Sequence, residues 1–116
     1  MAQSVAKIAE QGPPAIDRSH LARMTFGDRS LEREVLQLFD RQAGLLLARM
    51  RSGEPQAVAT LAHTLRGSAT GIGADNVARM AAAVEQSDPA QREAAMETLA
   101  TAIVEARAAI AELLRD

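Results

Sequence analysis

Four segments with helical periodicity, separated by short breaks, constrain the fold of this chain more than any other sequence feature. They run over about 28–51, 55–72, 75–86 and 88–113, and apolar residues recur in each at spacings of three and four. Glycine, proline or aspartate occupies every break, which is typical of positions where one helix ends and the next begins. Short breaks favour antiparallel packing of consecutive helices. The sequence therefore predicts an all-α fold, an antiparallel up-down four-helix bundle.

Residues at the breaks predict the helix ends. Asp28 is expected to cap the first long helix, Pro55 to begin the second and Gly73 to end it. Asp75 and Asp88 are expected to cap the third and fourth helices. The residues of the first long helix that we expect to face the core are Leu31, Val35, Leu38, Phe39, Leu46 and Met50.

The residues before the first long helix have less regular patterns. A short additional N-terminal helix is expected over 2–11, followed by a stiff link of one glycine and two prolines. A brief helical turn around 21–24 is expected next, capped by Asp17 or Ser19 and ending near Gly27.

Composition narrows the classes of function. The 116 residues suffice for one core, so we expect a bundle domain at 15–116 after an N-terminal helix and proline link at 1–14. The chain has no cysteine, which excludes disulfides and thiolate metal sites. Its net charge is −2, and no apolar run approaches the ~20 residues that cross a bilayer. We therefore expect a cytoplasmic protein that binds neither nucleic acid nor membranes.

One histidine of the second long helix lies opposite its apolar face. The residues that share the apolar stripe are Val58, Leu61, Ala62, Leu65, Ala69 and Ile72. At ~100° per residue, His63 points roughly 140° away from the centre of this stripe, so its imidazole is expected to face water. One turn further along is Gly67, which has no side chain to shield the ring.

The glycines near this histidine carry an energetic cost. Glycine within a helix is less favourable than alanine by about 1 kcal/mol, and both Gly67 and Gly71 precede the expected helix end at Gly73. The chain uses alanine freely elsewhere. We therefore expect these glycines to let another surface approach closely.

The residues alone leave the role of His63 open. A solvated surface histidine is the simplest interpretation. A zinc site is disfavoured, because no residue three or four positions away is a metal ligand. Those positions hold Ala59, Thr60, Arg66 and Gly67. The sequence also has no nucleophile elbow, glycine-rich phosphate loop or cofactor motif.

The segment AHTLRGSATGIGA around His63 resembles the signature of histidine-containing phosphotransfer (HPt) domains, in which an exposed helix histidine precedes leucine, a basic residue, glycine and small residues. The resemblance extends over about 17–115. It implies that His63 accepts a phosphoryl group, in agreement with the nucleophilicity of neutral imidazole near neutral pH. The other imidazole, His20, lacks the flanking small residues, so a surface or capping role is expected for it.

The resemblance also implies roles for the residues that follow the histidine. Arg66 stands where the family usually has lysine, and its guanidinium would contact the phosphoryl oxygens or the partner. An ordinary solvated cation is the alternative. A side chain at Gly67 would obstruct the incoming partner, whereas the alternative is a packing glycine. Ser68 belongs to the motif and leans towards the flank of the core, so no chemistry is assigned to it.

Glu85 has two interpretations. It falls where some members of the family, notably the phosphotransfer domains of chemotaxis kinases, have a carboxylate that accepts a hydrogen bond from the histidine ring. Such a carboxylate would fix the tautomer and leave the lone pair of the other nitrogen outward. The alternative is a solvated glutamate at the end of a helix.

The function implied by the resemblance is that of a phosphorelay intermediate without ATP-dependent kinase activity of its own. Its partners would be response-regulator receiver domains and a hybrid sensor histidine kinase. It would bind no cofactor, and the required Mg²⁺ would belong to the receiver. A non-catalytic adaptor or dimerising bundle that binds a partner through the glycine-lined face is the alternative. An RNA-binding bundle is disfavoured by the acidic balance.

Overall fold

The computed structural model describes residues 14–115, and this part of the chain is helical, with no strand. The helices are α1 (Arg18–Met24), α2 (Arg29–Ser52), α3 (Pro55–Ile72), α4 (Asp75–Gln86) and α5 (Pro89–Arg115). The prediction of an all-α fold is confirmed. The additional helix predicted over 2–11 lies outside the described residues.

Local sequence determines most of the helix starts. Asp17, Asp28 and Asp88 each accept a hydrogen bond of 3.0 to 3.1 Å from the backbone N–H three residues later. They cap α1, α2 and α5, so Asp17 rather than Ser19 is the cap of the first helix. Pro55 is the first residue of α3, where a missing N–H costs nothing.

The predicted cap at Asp75 is wrong. Asp75 is already the first residue of α4, and the capping position belongs to Ala74, which makes no side-chain hydrogen bond there. The cause is the way α3 ends, because the N–H of Ala74 donates to the carbonyl of Ala69 at 2.9 Å. Closing α3 therefore uses both residues of the connection. Asp75 instead places its negative charge in the first turn of α4.

The four long helices surround one core. α3 packs against α2 and α4, and α5 packs against the same two helices. The Arg33 guanidinium donates to the carbonyl of Leu114 at 2.9 Å, and the Arg107 guanidinium donates to Asp40 at 2.9 Å. An early residue of α2 thus meets a late residue of α5, so these two helices run in opposite directions. The complete up-down order of the bundle stays a prediction.

The core faces predicted for α2 and α3 agree with the structure except on part of α2. The stripe predicted for α3 is buried, apart from the partly buried Leu61. On α2 the predicted inward position of Leu38 is wrong, and Leu31 and Val35 are only partly buried. The buried residues of α2 are Leu36, Phe39, Ala43, Leu46 and Met50. Their spacing of three and four centres the buried face so that Leu38 falls on its flank.

Gly73, at the end of α3, contacts the backbone of Asp17, the residue that caps α1. Its φ of +82° lies in the left-handed region, and its role as the end of α3 is as predicted. The N–H of Asp17 donates to the carbonyl of Gly73 at 2.8 Å. A Cβ atom on Gly73 would lie 2.8 Å from the carbonyl oxygen of Asp17, so glycine is required both for the backbone angle and for this close approach.

We expect Gly73→Ala to lower the free energy of unfolding by roughly 2 kcal/mol, because alanine is strained at positive φ and its methyl group would displace Asp17. Urea unfolding followed by circular dichroism measures this. Gly27→Ala is the matched control, since Gly27 has a φ of +73° but no heavy atom within 4 Å of its Cβ position. Gly27→Ala should lose only the part of the free energy of unfolding that comes from strain at positive φ. Equal losses in the two variants would contradict a role for the Asp17 contact.

Candidate functional site

His63 lies in the middle of α3 with its side chain turned to solvent. The side chain is 61% exposed, so the predicted outward orientation is confirmed. A shallow hollow of about 240 Å³ opens beside the ring, lined by Ala59, Thr60, His63 and Glu85. The imidazole is therefore accessible and has free space next to it.

Two charged side chains meet the Nδ1 atom of His63. Glu85, near the end of α4, places Oε2 2.9 Å from Nδ1. Arg66, three residues further along α3, places Nη2 3.0 Å from the same nitrogen, and its Nη1 lies 3.4 Å from Oε1 of Glu85. The structure thus brings together three of the residues singled out in the sequence. No hydrogen bond to Nε2 of His63 occurs within residues 14–115.

Glu85 is more buried than the imidazole that it contacts. Its side chain is only 26% exposed. Oε1 is buried and has no hydrogen-bond partner among the described residues, so its contact with Arg66 is an ion pair without hydrogen-bond alignment. Oε2 is the oxygen directed at the imidazole.

The helical glycines near His63 border open space. No heavy atom lies within 4 Å of a Cβ atom built on Gly67 or Gly71. Gly44 of α2 is different, because a Cβ atom there would lie 2.8 Å from Nη1 of Arg107. The hydrogen bond with Asp40 holds this guanidinium and raises the pKa of Arg107 above its ordinary value. Gly44 thus has a packing explanation within the chain, whereas Gly67 and Gly71 have none.

An apolar surface that the sequence analysis missed adjoins α3. Leu38 and Leu45, which we call the α2 leucine strip, are 58% and 60% exposed and lie two turns apart. A groove of about 200 Å³ between α2 and α3 is lined by Val35, Leu38, Phe39, Gln42, Ser68 and Ile72. Ser68 forms part of its α3 side, in agreement with the predicted lean towards the flank of the core. The sequence held no signal for the strip, because leucine occurs both in the core and on the exposed flank of this helix.

His20 is in a different environment from His63. Its side chain is partly buried, and its Nε2 atom is buried without a hydrogen-bond partner among the described residues. The cap of α1 is Asp17, which accepts from the backbone of His20. His20 is therefore only partly at the surface, and the capping side chain is that of Asp17. The imidazole of His20 is less accessible than that of His63.

Comparison with known families agrees with this geometry. The family model described as Hpt domain matches residues 29–114. The chain belongs to the Hpt domain family. The family model covers α2 to α5 of this Hpt domain and leaves out α1. The matched range is therefore shorter than the resemblance over 17–115. No curated protein and no solved structure matches the chain.

Membership of the Hpt family carries a general function. Hpt domains perform histidine phosphotransfer in two-component phosphorelays, where they interact with receiver domains and kinases. In the described part of this Hpt protein, no helix combines the length and apolar character needed to cross a membrane. The same residues contain no group of three or more histidine, aspartate or glutamate side chains arranged to hold a metal ion.

Proposed function

We propose that this Hpt domain is a cytoplasmic phosphorelay intermediate in which His63 accepts a phosphoryl group from a receiver-domain aspartyl phosphate and passes it to a second receiver. The proposal rests on the exposure of the His63 imidazole and on the hydrogen bonds of its two nitrogens. Its ring is exposed on the outer face of α3, with Nδ1 next to Glu85 and with Nε2 not hydrogen-bonded to the described residues. A hybrid sensor histidine kinase is the expected source of the phosphoryl group.

The contact with Glu85 supports a specific transfer chemistry. When Nδ1–H donates a hydrogen bond to Oε2 of Glu85, Nε2 has no proton and its lone pair points outward. That lone pair attacks phosphorus, the bond between phosphorus and the aspartyl oxygen breaks, and the carboxylate leaves with the electron pair. Nδ1 keeps its proton, and the positive charge of the phosphorylated ring faces Glu85. Transfer to the second receiver breaks the new P–N bond and returns its electron pair to Nε2.

The residues around the ring support the other requirements of transfer. Arg66 is 37% exposed at the rim of the site, from which its guanidinium can turn to the phosphoryl oxygens. The open space at Gly67 lets a receiver approach the ring. This chain then needs no ATP site and no cofactor, because the Mg²⁺ that neutralises the phosphoryl charge belongs to the acidic pocket of the receiver.

Transfer from purified receivers tests this proposal. Candidate receiver domains are phosphorylated with radiolabelled phosphate, separated from their kinase and mixed with this protein. We expect label to move from at least one receiver to this chain in an acid-labile linkage, as for phosphohistidine, and then to a second receiver. The adaptor hypothesis predicts binding without label. If receivers from the same cell bound this protein and never transferred label to it, the phosphorelay would be excluded.

We propose that the receiver lies across α3 and extends over the α2 leucine strip. On the α4 side of His63 the surface is charged, because Arg66 and Glu85 form an ion pair there. On the other side, Gly67 has no side chain, and Ser68 and Leu38 both line the groove between α3 and α2. An apolar helix of the receiver fits this direction, since exposed leucines gain free energy only when a partner removes them from water.

Leu45→Ala and Leu38→Ala are each expected to raise the Kd for a cognate receiver roughly tenfold, as for the loss of most of one buried leucine side chain. Isothermal titration calorimetry measures the affinity. Val104→Ala is the matched control, because Val104 is an exposed residue of α5, which packs on α2 and α4 away from the histidine face. A Kd unchanged in both leucine variants would show that the receiver does not reach α2.

A further inference from the structure

The Nδ1 atom of His63 is contacted by two groups with opposite requirements. Oε2 of Glu85, at 2.9 Å, is an acceptor and requires a proton on Nδ1. Nη2 of Arg66, at 3.0 Å, is only a donor and requires a lone pair there. A neutral imidazole has one proton, on one of its two nitrogens. The two hydrogen bonds therefore exclude each other in the neutral ring.

Each of these contacts leaves the outward-facing Nε2 atom in a different protonation state. When Glu85 binds Nδ1–H, the lone pair of Nε2 is free to attack phosphorus. When the guanidinium of Arg66 donates to Nδ1, the proton of the ring lies on Nε2, and the outward nitrogen has no lone pair for attack. Competition between Arg66 and Glu85 thus determines which fraction of the unphosphorylated protein is nucleophilic.

We propose that Arg66 is a positioning residue that controls the tautomer of His63. In the free protein its guanidinium competes for Nδ1 and holds part of the population in the unreactive form. An incoming phosphoryl group, which is doubly negative, draws the guanidinium to itself. Nε2 then releases its proton to water, Nδ1 takes one up from water, and Glu85 binds the new Nδ1–H. The inference rests on the proposed function, because it takes Nε2 as the atom that accepts the phosphoryl group.

The shape and the burial of the two partners support this exchange. A guanidinium is a planar fork, so Arg66 reaches Nδ1 with Nη2 and lies near Glu85 with Nη1, which one ammonium group does less well. Glu85 is the more buried partner and has a buried Oε1, so it has less freedom to move than Arg66. Arg66 is the more exposed partner and can turn away from the ring without disturbing the core.

Nitrogen-15 NMR of the unphosphorylated protein tests the inference. The ring-nitrogen chemical shifts of His63, at a pH where the ring is neutral, report the ratio of the Nδ1–H to the Nε2–H form. We expect Arg66→Met, which removes the donor and keeps a stem of similar length, to raise this ratio roughly fivefold, as for the loss of one modest hydrogen bond. Modification of His63 by diethyl pyrocarbonate, which reacts with an exposed unprotonated nitrogen, should accelerate in parallel.

Two further variants make the result specific. Arg79→Met removes an equal charge from α4, where Arg79 bonds Asn76, and should leave the ratio unchanged. Glu85→Ala should lower the ratio, because only the Arg66 contact then remains at Nδ1. An unchanged ratio in Arg66→Met, or an equal rise in Arg79→Met, would overturn the inference. These spectra need no receiver, so this failure is distinct from a failure of label transfer, which would refute the proposed function instead.

Discussion

His63→Gln is expected to abolish phosphate incorporation, both from phosphorylated receivers and from phosphoramidate. The amide nitrogen of glutamine has no available lone pair to attack phosphorus, whereas its size and polarity are close to those of histidine. Phosphoramidate is a small phosphoryl donor and needs no docking surface, so its failure would locate the defect in the nucleophile itself. Retention of label after gel electrophoresis at alkaline pH measures incorporation.

The same experiment has two controls. His20→Gln should incorporate phosphate at the normal level, because Nε2 of His20 is buried and does not take part. His63→Gln should still bind a receiver with a Kd close to that of the unchanged protein, since the docking face is retained. Label on His63→Gln at the normal level would show that another residue is the acceptor and would refute the phosphorelay through this histidine.

Gly67→Leu is expected to lower the rate of transfer from receivers by about a hundredfold or more while making the protein more stable. A branched side chain one turn from the ring would prevent the close approach that in-line transfer requires, and a displacement of about 1 Å costs about this much. No heavy atom lies within 4 Å of the Cβ position, so the fold accepts the new side chain. Replacing a helical glycine should raise the free energy of unfolding by roughly 0.8 kcal/mol.

Rapid-quench measurement of label transfer and urea unfolding test both parts of this prediction. Phosphorylation by phosphoramidate should change little in Gly67→Leu, because a small donor passes the leucine. Ala108→Leu, at an exposed position of α5, controls for the addition of a bulky apolar side chain elsewhere on the surface. If Gly67→Leu accepted phosphate from receivers at the normal rate, Gly67 would not be needed for the receiver to reach the ring of His63.

The helix ends and the outward position of His63 were predictable because they depend on short-range physics. An aspartate three residues before a free N–H, or a glycine where φ must be positive, acts within one turn. The rotation of His63 away from the α3 stripe needs only the helical repeat. The exception, Asp75, shows the limit of local reasoning, since the end of α3 had already taken the capping position through Ala74.

The contacts between helices were not predictable from periodicity. That Glu85 lies 2.9 Å from His63 depends on the relative shift of α3 and α4, and only the resemblance to other Hpt domains indicated it. The sequence also did not indicate that Arg66 turns back onto Glu85 and Nδ1. Leu38 was misplaced because leucine alone does not distinguish the centre of an apolar face from its exposed flank, which only a packed neighbour defines.

The inner side of α3 is filled by the core, so the imidazole has one approach and one occupant at a time. A donor and a recipient would therefore have to alternate on it, in a double-displacement sequence with a free phosphorylated species between the two encounters. In the proposed phosphorelay, this phosphorylated domain would encounter its compatible regulators one at a time. Its lifetime and its abundance relative to those regulators, rather than any ternary assembly, would then set how a signal is divided among competing outputs.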